Sequence, residues 1–386
     1  MPYMGMSNVW AQSYNFTNYD IGDGLVHDKV MDIAEDRYGN LWVASLLGGI
    51  SKFNGVAFEN FTIREGLASN FVRDLVVDQE GNIWAATAMG LSMYDGHTFK
   101  NYKLDQENEL NNSINVIADG SKYIWFAAPD GGIGSLNPST GDINIFAIGE
   151  DQLKNDKVIA LEVDEQGIVW FITVVNGLYR FDGKNFTNVI RNVDFKGYLL
   201  SVYIDEDGLF WLGSNKGLLK YNPKSPGRID DFFKPLKDIF IKSALVKDST
   251  DFWALSAFGA LKINNGVYKT MTKQEGLTNE RINVIHCDRE GSFWAGTDGE
   301  GIFKLVNETF VRFTAAHGIS ENPVTTILKD ENSNYYFGTL GSGVDVYDGK
   351  SFTKLNMGYE RGSSYISCGT IDKQGNLWFG TRGAGV

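Results

Sequence analysis

One short phrase recurs nine times along the 386 residues of this chain at almost constant spacing. It is clearest as GNLW at residues 39–42 and again at residues 375–378, and every copy ends in an aromatic residue. These nine anchors are Trp42, Trp84, Trp125, Trp170, Trp211, Trp253, Trp294, Tyr336 and Trp378, separated by 42, 41, 45, 41, 42, 41, 42 and 42 residues. Such a period is typical of stacked or radially arranged supersecondary units. The chain is therefore predicted to be a repeat protein rather than one ordinary domain.

The second copy, residues 70–98, shows what one unit contains. An apolar stretch from Val72 ends at Asp78, and after Gln-Glu-Gly-Asn a second apolar stretch begins at Ile83, which predicts strand, tight turn and strand. Gly90 begins a third apolar stretch. In most copies this stretch ends in Asn-Gly or Asp-Gly, which predicts a two-residue hairpin turn with positive φ at both central positions. A last strand containing aromatic residues follows. Four antiparallel strands per repeat predict an all-β fold, a β-propeller of four-stranded blades.

An aspartate also recurs six positions before every anchor except Trp253, where Lys247 takes its place. It occurs at Asp36, Asp78, Asp119, Asp164, Asp205, Asp288, Asp330 and Asp372. Eight acids at equal spacing could suggest a metal array, but the symmetry distributes them one per blade instead of clustering them as ligands. Asp-x-x-Gly is turn chemistry, since the Asp side chain accepts from backbone N–H groups and Gly tolerates positive φ. We therefore expect turn-forming acids, and anchors that pack between blades.

Composition excludes some classes of function. The chain has 35 basic and 48 acidic residues, a net charge of −13 and no basic stripe, which argues against a nucleic-acid partner. No apolar stretch approaches the ~20 residues of a membrane-spanning helix. The two cysteines, Cys287 and Cys368, lie two repeats apart and are predicted to be buried thiols rather than a disulfide.

Two closures of the ring fit the sequence. Residues 14–19 (YNFTNY) have the pattern of a fourth strand without its first three. Residues 1–11 are interpreted as the remnant of a signal peptide, and residues 12–309 as a seven-bladed propeller closed by that strand. Residues 310–386 are then a partial second propeller, or instead a continuation of the same, larger ring.

Catalytic constellations are sparse. The four histidines, His27, His97, His286 and His317, form no HExxH or His-x-His motif, and the sequence contains no nucleophile elbow or phosphate loop. Glycine-rich pieces precede strands rather than helix N-termini, which removes the physical reason for phosphate binding. No catalytic residue, metal site or cofactor is predicted.

Variation between repeats points to a recognition surface. The loops between second and third strands and the connectors between blades are expected on one face. Their framework recurs from repeat to repeat, but the residues at the loop tips differ, as expected of a recognition surface. The candidate ligand-binding tips are Asp130, Asn176, Asn215, Lys216, Phe258, Asp298, Glu300 and Arg382. Solvated tips with no binding role are the alternative.

The complete pattern, D-x-x-GNLW followed by GG, a hairpin dipeptide and a GL-x-[SN]-N connector, resembles the two-component regulator propeller repeat from about residue 14 to residue 386. The resemblance implies a periplasmic sensor region of a bacterial membrane receptor, with tandem seven-bladed propellers and a histidine kinase or related output enzyme. Implied partners are a small soluble ligand such as an oligosaccharide, a downstream signalling domain and a second copy of the chain. The alternatives are an enzyme similar to streptogramin lyase, which would need a histidine and acids converging on a metal, and a purely structural interaction module.

Overall fold

The computed structural model describes most of the chain. The described residues are 15–105, 112–127, 132–146, 156–205, 207–225, 229–231, 234–246, 250–271, 277, 281–306, 318–320, 323–330, 334–348, 351–355, 364–372 and 375–385. The interpretation of residues 1–11 as a signal-peptide remnant lies outside them. Among the helices of the described residues, none has the length and apolar character that crossing a bilayer requires.

The chain divides into two compact units, Met1–Glu308 and Thr309–Val386. In the first unit the strands are β1 (Asn15–Tyr19), β2 (Val30–Glu35), β3 (Leu41–Ser45), β4 (Gly49–Phe53), β5 (Phe58–Phe61), β6 (Val72–Val77), β7 (Ile83–Thr87), β8 (Gly90–Tyr94), β9 (Phe99–Tyr102), β10 (Ile117–Asp119), β11 (Ile124–Ala127), β12 (Ile133–Leu136), β13 (Ile143–Phe146) and β14 (Val158–Val163). They continue with β15 (Val169–Thr173), β16 (Gly177–Phe181), β17 (Phe186–Arg191), β18 (Leu199–Ile204), β19 (Phe210–Ser214), β20 (Gly217–Tyr221), β21 (Ile229–Asp231), β22 (Ile241–Val246), β23 (Asp251–Ser256), β24 (Gly259–Asn264), β25 (Val267–Thr270), β26 (Ile282–Cys287), β27 (Phe293–Thr297) and β28 (Ile302–Val306). A one-turn helix, α1 (Asn192–Phe195), and two 3-10 turns (Ile21–Asp23 and Lys234–Leu236) interrupt them.

These strands form seven four-stranded antiparallel sheets, so the predicted all-β propeller of four-stranded blades is confirmed. Blades 1 to 6 run in order from β2–β5 to β22–β25, and blade 7 has the order β1-β28-β27-β26. The first strand of every blade contacts the first strands of both neighbouring blades, including β26 with β2. The first strands therefore surround the axis of a closed seven-membered ring.

The strand that completes blade 7 comes from the other end of this unit. β1 pairs antiparallel with β28, with Phe16 opposite Leu305 and Tyr19 opposite Ile302. Trp294 of blade 7 packs against Val30, among other residues of blade 1. Hydrogen bonds thus tie the first strand of the chain to blade 7, and apolar packing joins blade 7 to blade 1.

The second unit contains β29 (Val324–Lys329), β30 (Tyr335–Thr339), β31 (Gly343–Tyr347) and β32 (Phe352–Lys354) in one sheet and β33 (Ile366–Ile371) with β34 (Leu377–Thr381) in another. A small core of Val344, Ile366 and Phe379 lies between these two sheets. The same repeat unit therefore builds both parts of the chain.

The anchors behave as predicted in the first unit but not throughout. All seven tryptophans from Trp42 to Trp294 are buried, and each belongs to a core cluster with residues of the following blade. Tyr336 is only half-buried, and Trp378 is 50% exposed, so the prediction of nine buried anchors is wrong for these two. An anchor is covered by the blade that follows it, and the described residues contain no sheet after that of Trp378.

The recurring acids form turns, as predicted, and they also bind the anchors. Asp36 accepts hydrogen bonds from the N–H groups of Tyr38 (2.9 Å) and Asn40 (3.0 Å) and from Asn40 Nδ2 (2.8 Å). Its Oδ2 also accepts from the indole Nε1 of Trp42 at 3.0 Å. Burial raises the pKa of Asp36, but these hydrogen bonds outweigh it and leave the pKa lowered. The Asp-to-anchor bond recurs for Trp84, Trp170, Trp211, Trp294, Tyr336 and Trp378.

Two local predictions are wrong. In the turn after Phe53, the N–H of Asn54 donates to the carbonyl of Ala57 at 3.3 Å, and the Asn54 side chain accepts from the N–H groups of Val56 and Ala57, but the predicted positive φ at both central positions is absent. Only Gly55 has positive φ there, because the Asn side chain replaces the backbone bond that a two-residue turn would make. Cys287 and Cys368 are both exposed rather than buried, since each lies on a first strand at a position that faces away from the adjoining sheet's core.

Candidate functional site: the loop end of the ring

Connectors and second-to-third-strand loops lie at the same end of each sheet, which we call the loop end. In six blades of the first unit, the residue that follows the second strand donates its N–H to the carbonyl of the residue just before the first strand. Leu46 donates to Lys29 at 3.1 Å and Asn215 to Tyr198 at 3.1 Å, and the remaining pairs repeat this geometry. The bond holds each loop against the connector beside it, so both surround the axis.

The residues just before the first strands form a ring around the axis, which we call the rim. In the six blades with this bond, the rim consists of Lys29, Phe71, Lys157, Tyr198, Phe240 and Arg281. Three of them are exposed aromatic residues, with exposed fractions of 44% for Phe71, 58% for Tyr198 and 38% for Phe240. Exposed aromatic rings grouped in one structural position are typical of recognition surfaces, because aromatic faces supply contact area at low entropic cost.

A second ring lies two strand positions further along the axis, and we call it the wall layer. It consists of Met31, Arg73, Asn115, Ile159, Leu200, Lys242 and Asn283. Its polar members reach the following blade: Asn283 Nδ2 donates to the carbonyl of Val30 at 2.8 Å, and Lys242 Nζ donates to that of Ile282 at 3.4 Å. Arg73 Nη1 donates to Asn115 Oδ1. The wall layer is therefore polar at blades 2, 3, 6 and 7 and apolar at blades 1, 4 and 5.

Two carboxyl groups, Asp32 and Asp74, follow the wall layer on blades 1 and 2. Asp32 Oδ2 accepts from the N–H of Leu75 at 2.9 Å, and Asp74 Oδ2 accepts from that of Ile117 at 2.8 Å. Burial first, and then the charge of Asp32, raises the pKa of Asp74 well above its usual value. A side-chain hydrogen bond between the two carboxyl groups raises the pKa of Asp74 further, across the contact between blades 1 and 2.

Two further titratable groups lie deeper along the axis. Burial raises the pKa of Glu162 to about 7. Burial also lowers the pKa of His286, although the carboxylates of Asp32, Glu35 and Asp288 oppose that shift. The Nε2 atom of His286 is buried and has no hydrogen-bond partner among the described residues.

The predicted tips are distributed around this end and are partly engaged in structural bonds. Asn176 Nδ2 donates to Asp156 at 2.8 Å, and Asn215 Oδ1 accepts from the N–H of Tyr198 at 2.7 Å. Asp298 forms an ion pair with Lys29 at 2.8 Å that joins blade 7 to blade 1. These three side chains therefore hold the loops and the rim in place.

The remaining tips are more varied. Phe258 is 70% exposed, Lys216 is exposed with its Nζ 3.8 Å from Asp238, and the N–H of Glu300 donates to Thr297 Oγ1 at 3.0 Å. Arg382 is exposed but belongs to the second unit, where its N–H donates to the carbonyl of Tyr365 at 2.8 Å. Asp130 lies outside the described residues. Arg382 is thus not part of the ring that carries the other tips.

Prediction from sequence missed the rim and the wall layer, although a signal for them exists. Lys29 precedes Trp42 by thirteen residues, and Phe71, Lys157, Tyr198, Phe240 and Arg281 precede their own anchors by the same number. Reading the repeats at this constant offset would have shown cations and aromatic residues in one structural position. The tips predicted from sequence follow the anchors, where the repeats differ most visibly.

The histidines do not converge on a site in the described residues. His27 Nδ1 accepts from the N–H of Lys29 at 2.9 Å and so shapes a connector, while His317 lies outside the described residues. Among the residues that the structure describes, no three His, Cys, Asp or Glu side chains are grouped as metal ligands would be.

Comparison with known proteins agrees with this architecture. The family model of the two-component regulator propeller matches residues 24–46 and 66–89. Histidine kinase P4 of Formosa agariphila is 28% identical over 165 residues, which cover 38% of this chain and 12% of that protein. The chain thus spans a small part of this relative.

Solved structures show the same fold. The extracellular domain of a hybrid two-component system from B. thetaiotaomicron matches with a TM-score of 0.63 and 22% identity, over 95% of this chain and 52% of that domain. Virginiamycin B lyase from Staphylococcus aureus matches with a TM-score of 0.61 and 16% identity, over 76% of this chain and 99% of the lyase. The chain therefore spans about half the length of the sensor domain that it matches.

Proposed function

Because the chain carries repeats of the two-component regulator propeller family, we propose that it is the extracytoplasmic, ligand-sensing part of a bacterial signal-transduction receptor. It binds a small soluble ligand of the oligosaccharide class at the loop end and catalyses no reaction itself. Residues 12–309 form the sensing propeller, and residues 310–386 begin a second one. The relatives that support this role are a histidine kinase and the extracellular domain of a hybrid two-component system.

The observation that carries the proposal is the group of exposed aromatic residues on the rim. Phe71, Tyr198 and Phe240 occupy the same structural position in three blades and point away from the cores that the anchors fill. Half-exposed rings present flat apolar faces, and the amide and charged side chains of the neighbouring loops supply hydrogen bonds, which is the usual composition of a small-molecule site. The apolar faces and polar edges of sugar rings suit such a surface.

Signalling requires that the ligand prefer one arrangement of the receptor. A ligand shifts an equilibrium only by its difference in affinity for the two states. Contacts to rim residues from several blades would favour one placement of the blades or of two copies of the chain. The downstream output domain would then read that placement.

Calorimetric titration of the purified chain with oligosaccharide pools tests the proposal. Tyr198→Ala and Phe240→Ala should each weaken binding about tenfold, because the ring contacts are lost. Tyr268→Ala is the matched control, since Tyr268 is an exposed aromatic residue (37%) on the outer strand β25. Equal affinity of all three variants and the wild type would place the site elsewhere.

An enzyme similar to streptogramin lyase is the second candidate, favoured by the fold that the chain shares with virginiamycin B lyase. Such an enzyme would cleave its ligand, so mass spectrometry of the ligand after prolonged incubation separates the two functions. An unaltered ligand supports the sensor, and a cleaved ligand supports the enzyme. A protein-interaction scaffold would bind neither saccharides nor lyase substrates.

A further inference from the structure

The loop end carries a set of cations that the proposed function does not yet use. They are Arg73 of blade 2, Lys157 of blade 4 and Lys242 of blade 6, one from every second blade around the axis. Lys157 belongs to the rim, and the other two belong to the wall layer two strand positions further along. A rise of ~3.3 Å per residue places the two levels within about 7 Å along the axis.

These cations differ from the paired cations of the same unit. Lys29, Lys216 and Lys262 each have a carboxylate within 4.0 Å, whereas Arg73, Lys157 and Lys242 have none among the described residues. Arg73 and Lys242 donate only to neutral oxygens, of Asn115 and of a backbone carbonyl. Positive charges at the loop end without a carboxylate partner are unusual in a chain of net charge −13.

Asp74 and Asp156 adjoin two of these cations in the sequence, Asp32 holds the equivalent position in blade 1, and all three carboxyl groups already have other partners. Asp32 and Asp74 accept from backbone N–H groups of the following blade and are hydrogen-bonded to each other. Asp156 is buried and accepts from the N–H groups of Val175 and Asn176. The backbone holds these carboxyls, so they leave the three cations free to bind another anion.

On this basis we propose that the ligand is an acidic saccharide, whose carboxylate or sulfate enters the mouth of the ring and is bound by Arg73, Lys157 and Lys242. The sugar rings that follow then lie against the aromatic residues of the rim. This inference rests on the proposed function and specifies the charge of the ligand. A guanidinium and two ammonium groups facing one axis from different blades suit an oxyanion better than a neutral hydroxyl group.

The test compares two probes with the same sugar backbone, one with free carboxylates and one with neutral methyl esters. Calorimetry of the full chain is run with trigalacturonic acid and with its fully methyl-esterified form. We expect the acid to bind at least about tenfold more tightly than the ester, and its affinity to fall as sodium chloride is raised. Equal affinity for the two probes, or binding of neither, overturns the inference.

Variants identify the residues responsible. Arg73→Met and Lys242→Met should each weaken binding of the acid about tenfold, whereas Arg73→Lys should retain most of it because the charge remains. Lys184→Met is the matched control, since Lys184 is exposed in the hairpin at the opposite end of blade 4. Unchanged thermal midpoints show that the variants are folded, and equal loss in the Lys184 variant would contradict the assignment.

The outcome separates this inference from the proposed function. Binding of the methyl ester or of other neutral oligosaccharides at the rim, with no preference for the acid, leaves the sensor proposal standing and refutes the anionic ligand. If Tyr198→Ala loses binding of neutral oligosaccharides while Arg73→Met binds the acid as tightly as the wild type, the sensor proposal also stands and the anionic ligand is refuted.

Discussion

Replacement of Asp36 by Asn should destabilise the first blade strongly, although the side chain keeps its shape. Asn offers one acceptor oxygen where the carboxylate offers two. The second oxygen accepts from Asn40 Nδ2 and from the indole of Trp42, so an amide N–H₂ in its place would face two donors. Trp42 is 2% exposed, and water cannot replace the lost acceptor. An unpaired buried donor costs about 1–3 kcal/mol and a hydrogen bond to a charged group contributes about 1.5–3 kcal/mol, so we expect a loss of about 2–4 kcal/mol.

Asp119→Asn is the matched control, at the same position of the third repeat. The carboxylate of Asp119 accepts from the N–H of Ser121 at 2.9 Å and does not bind the indole of Trp125. Burial is the main cause that raises the pKa of Asp119, opposite to the lowered pKa of Asp36. The charged form of Asp119 is therefore disfavoured by folding, and Asn should be neutral or slightly stabilising at pH 7.

The two variants should also depend on pH in opposite directions. The lowered pKa of Asp36 means that its contribution is present above the unfolded-state pKa of about 3.9 and is lost as the pH falls through the folded-state value. The raised pKa of Asp119 means that its contribution is present at low pH and is lost as the pH rises through the folded-state value. Urea unfolding followed by tryptophan fluorescence at pH 7 and pH 3 measures both. A loss below about 0.5 kcal/mol for Asp36→Asn at pH 7, or equal losses for the two variants, would refute the reasoning.

Three further substitutions are expected to change stability in ways that a comparison variant or a pH series can test. Trp84→Ala should cost about 3–5 kcal/mol in urea unfolding, whereas Trp378→Ala should cost much less because Trp378 is already 50% exposed. Gly301→Ala should loosen the closure of the ring, since the added Cβ would lie 2.1 Å from the carbonyl oxygen of Tyr19 in β1. Gly343→Ala is the control at the same repeat position, because a Cβ there meets nothing within 4 Å. Hydrogen exchange of the β1 amides measures the difference. Asp74→Asn should stabilise the chain increasingly as the pH rises through the raised pKa of Asp74, because the amide donates where the carboxyl would lose its proton; thermal midpoints from pH 4 to pH 9 test this.

Each comparison has an outcome that contradicts it. Equal losses for the two tryptophan variants would mean that burial by the following blade does not set the contribution of an anchor. Protection of β1 from exchange in Gly301→Ala would show that the closing strand tolerates the added methyl group. A constant difference between Asp74→Asn and the wild type across the pH range would contradict the raised pKa of Asp74.

Within one repeat, the sequence determined the structure almost completely. The Asp36 turn, the positive φ of Gly39 and the indole bond of Trp42 join residues at most six positions apart. Such contacts depend on short-range geometry, which a repeating pattern displays several times over. The four-stranded blade and the burial of the anchors in the first unit could therefore be predicted, whereas the exposure of Trp378 depends on a neighbouring blade.

The number of blades and the candidate site were decided by tertiary structure. Asn283 reaches Val30 across 253 positions, and Asp32 reaches Leu75 across 43, and neither pairing leaves a mark in any single repeat. Closure depends on small angles between blades that add up around the ring. Two closures fitted the sequence, with seven blades favoured only by the family resemblance, and the pairing of β1 with β28 decides for seven. The rim and the three unpaired cations share an axis only because seven blades close the ring. The sequence by itself therefore determined the unit, and the closed ring determined which residues face one another.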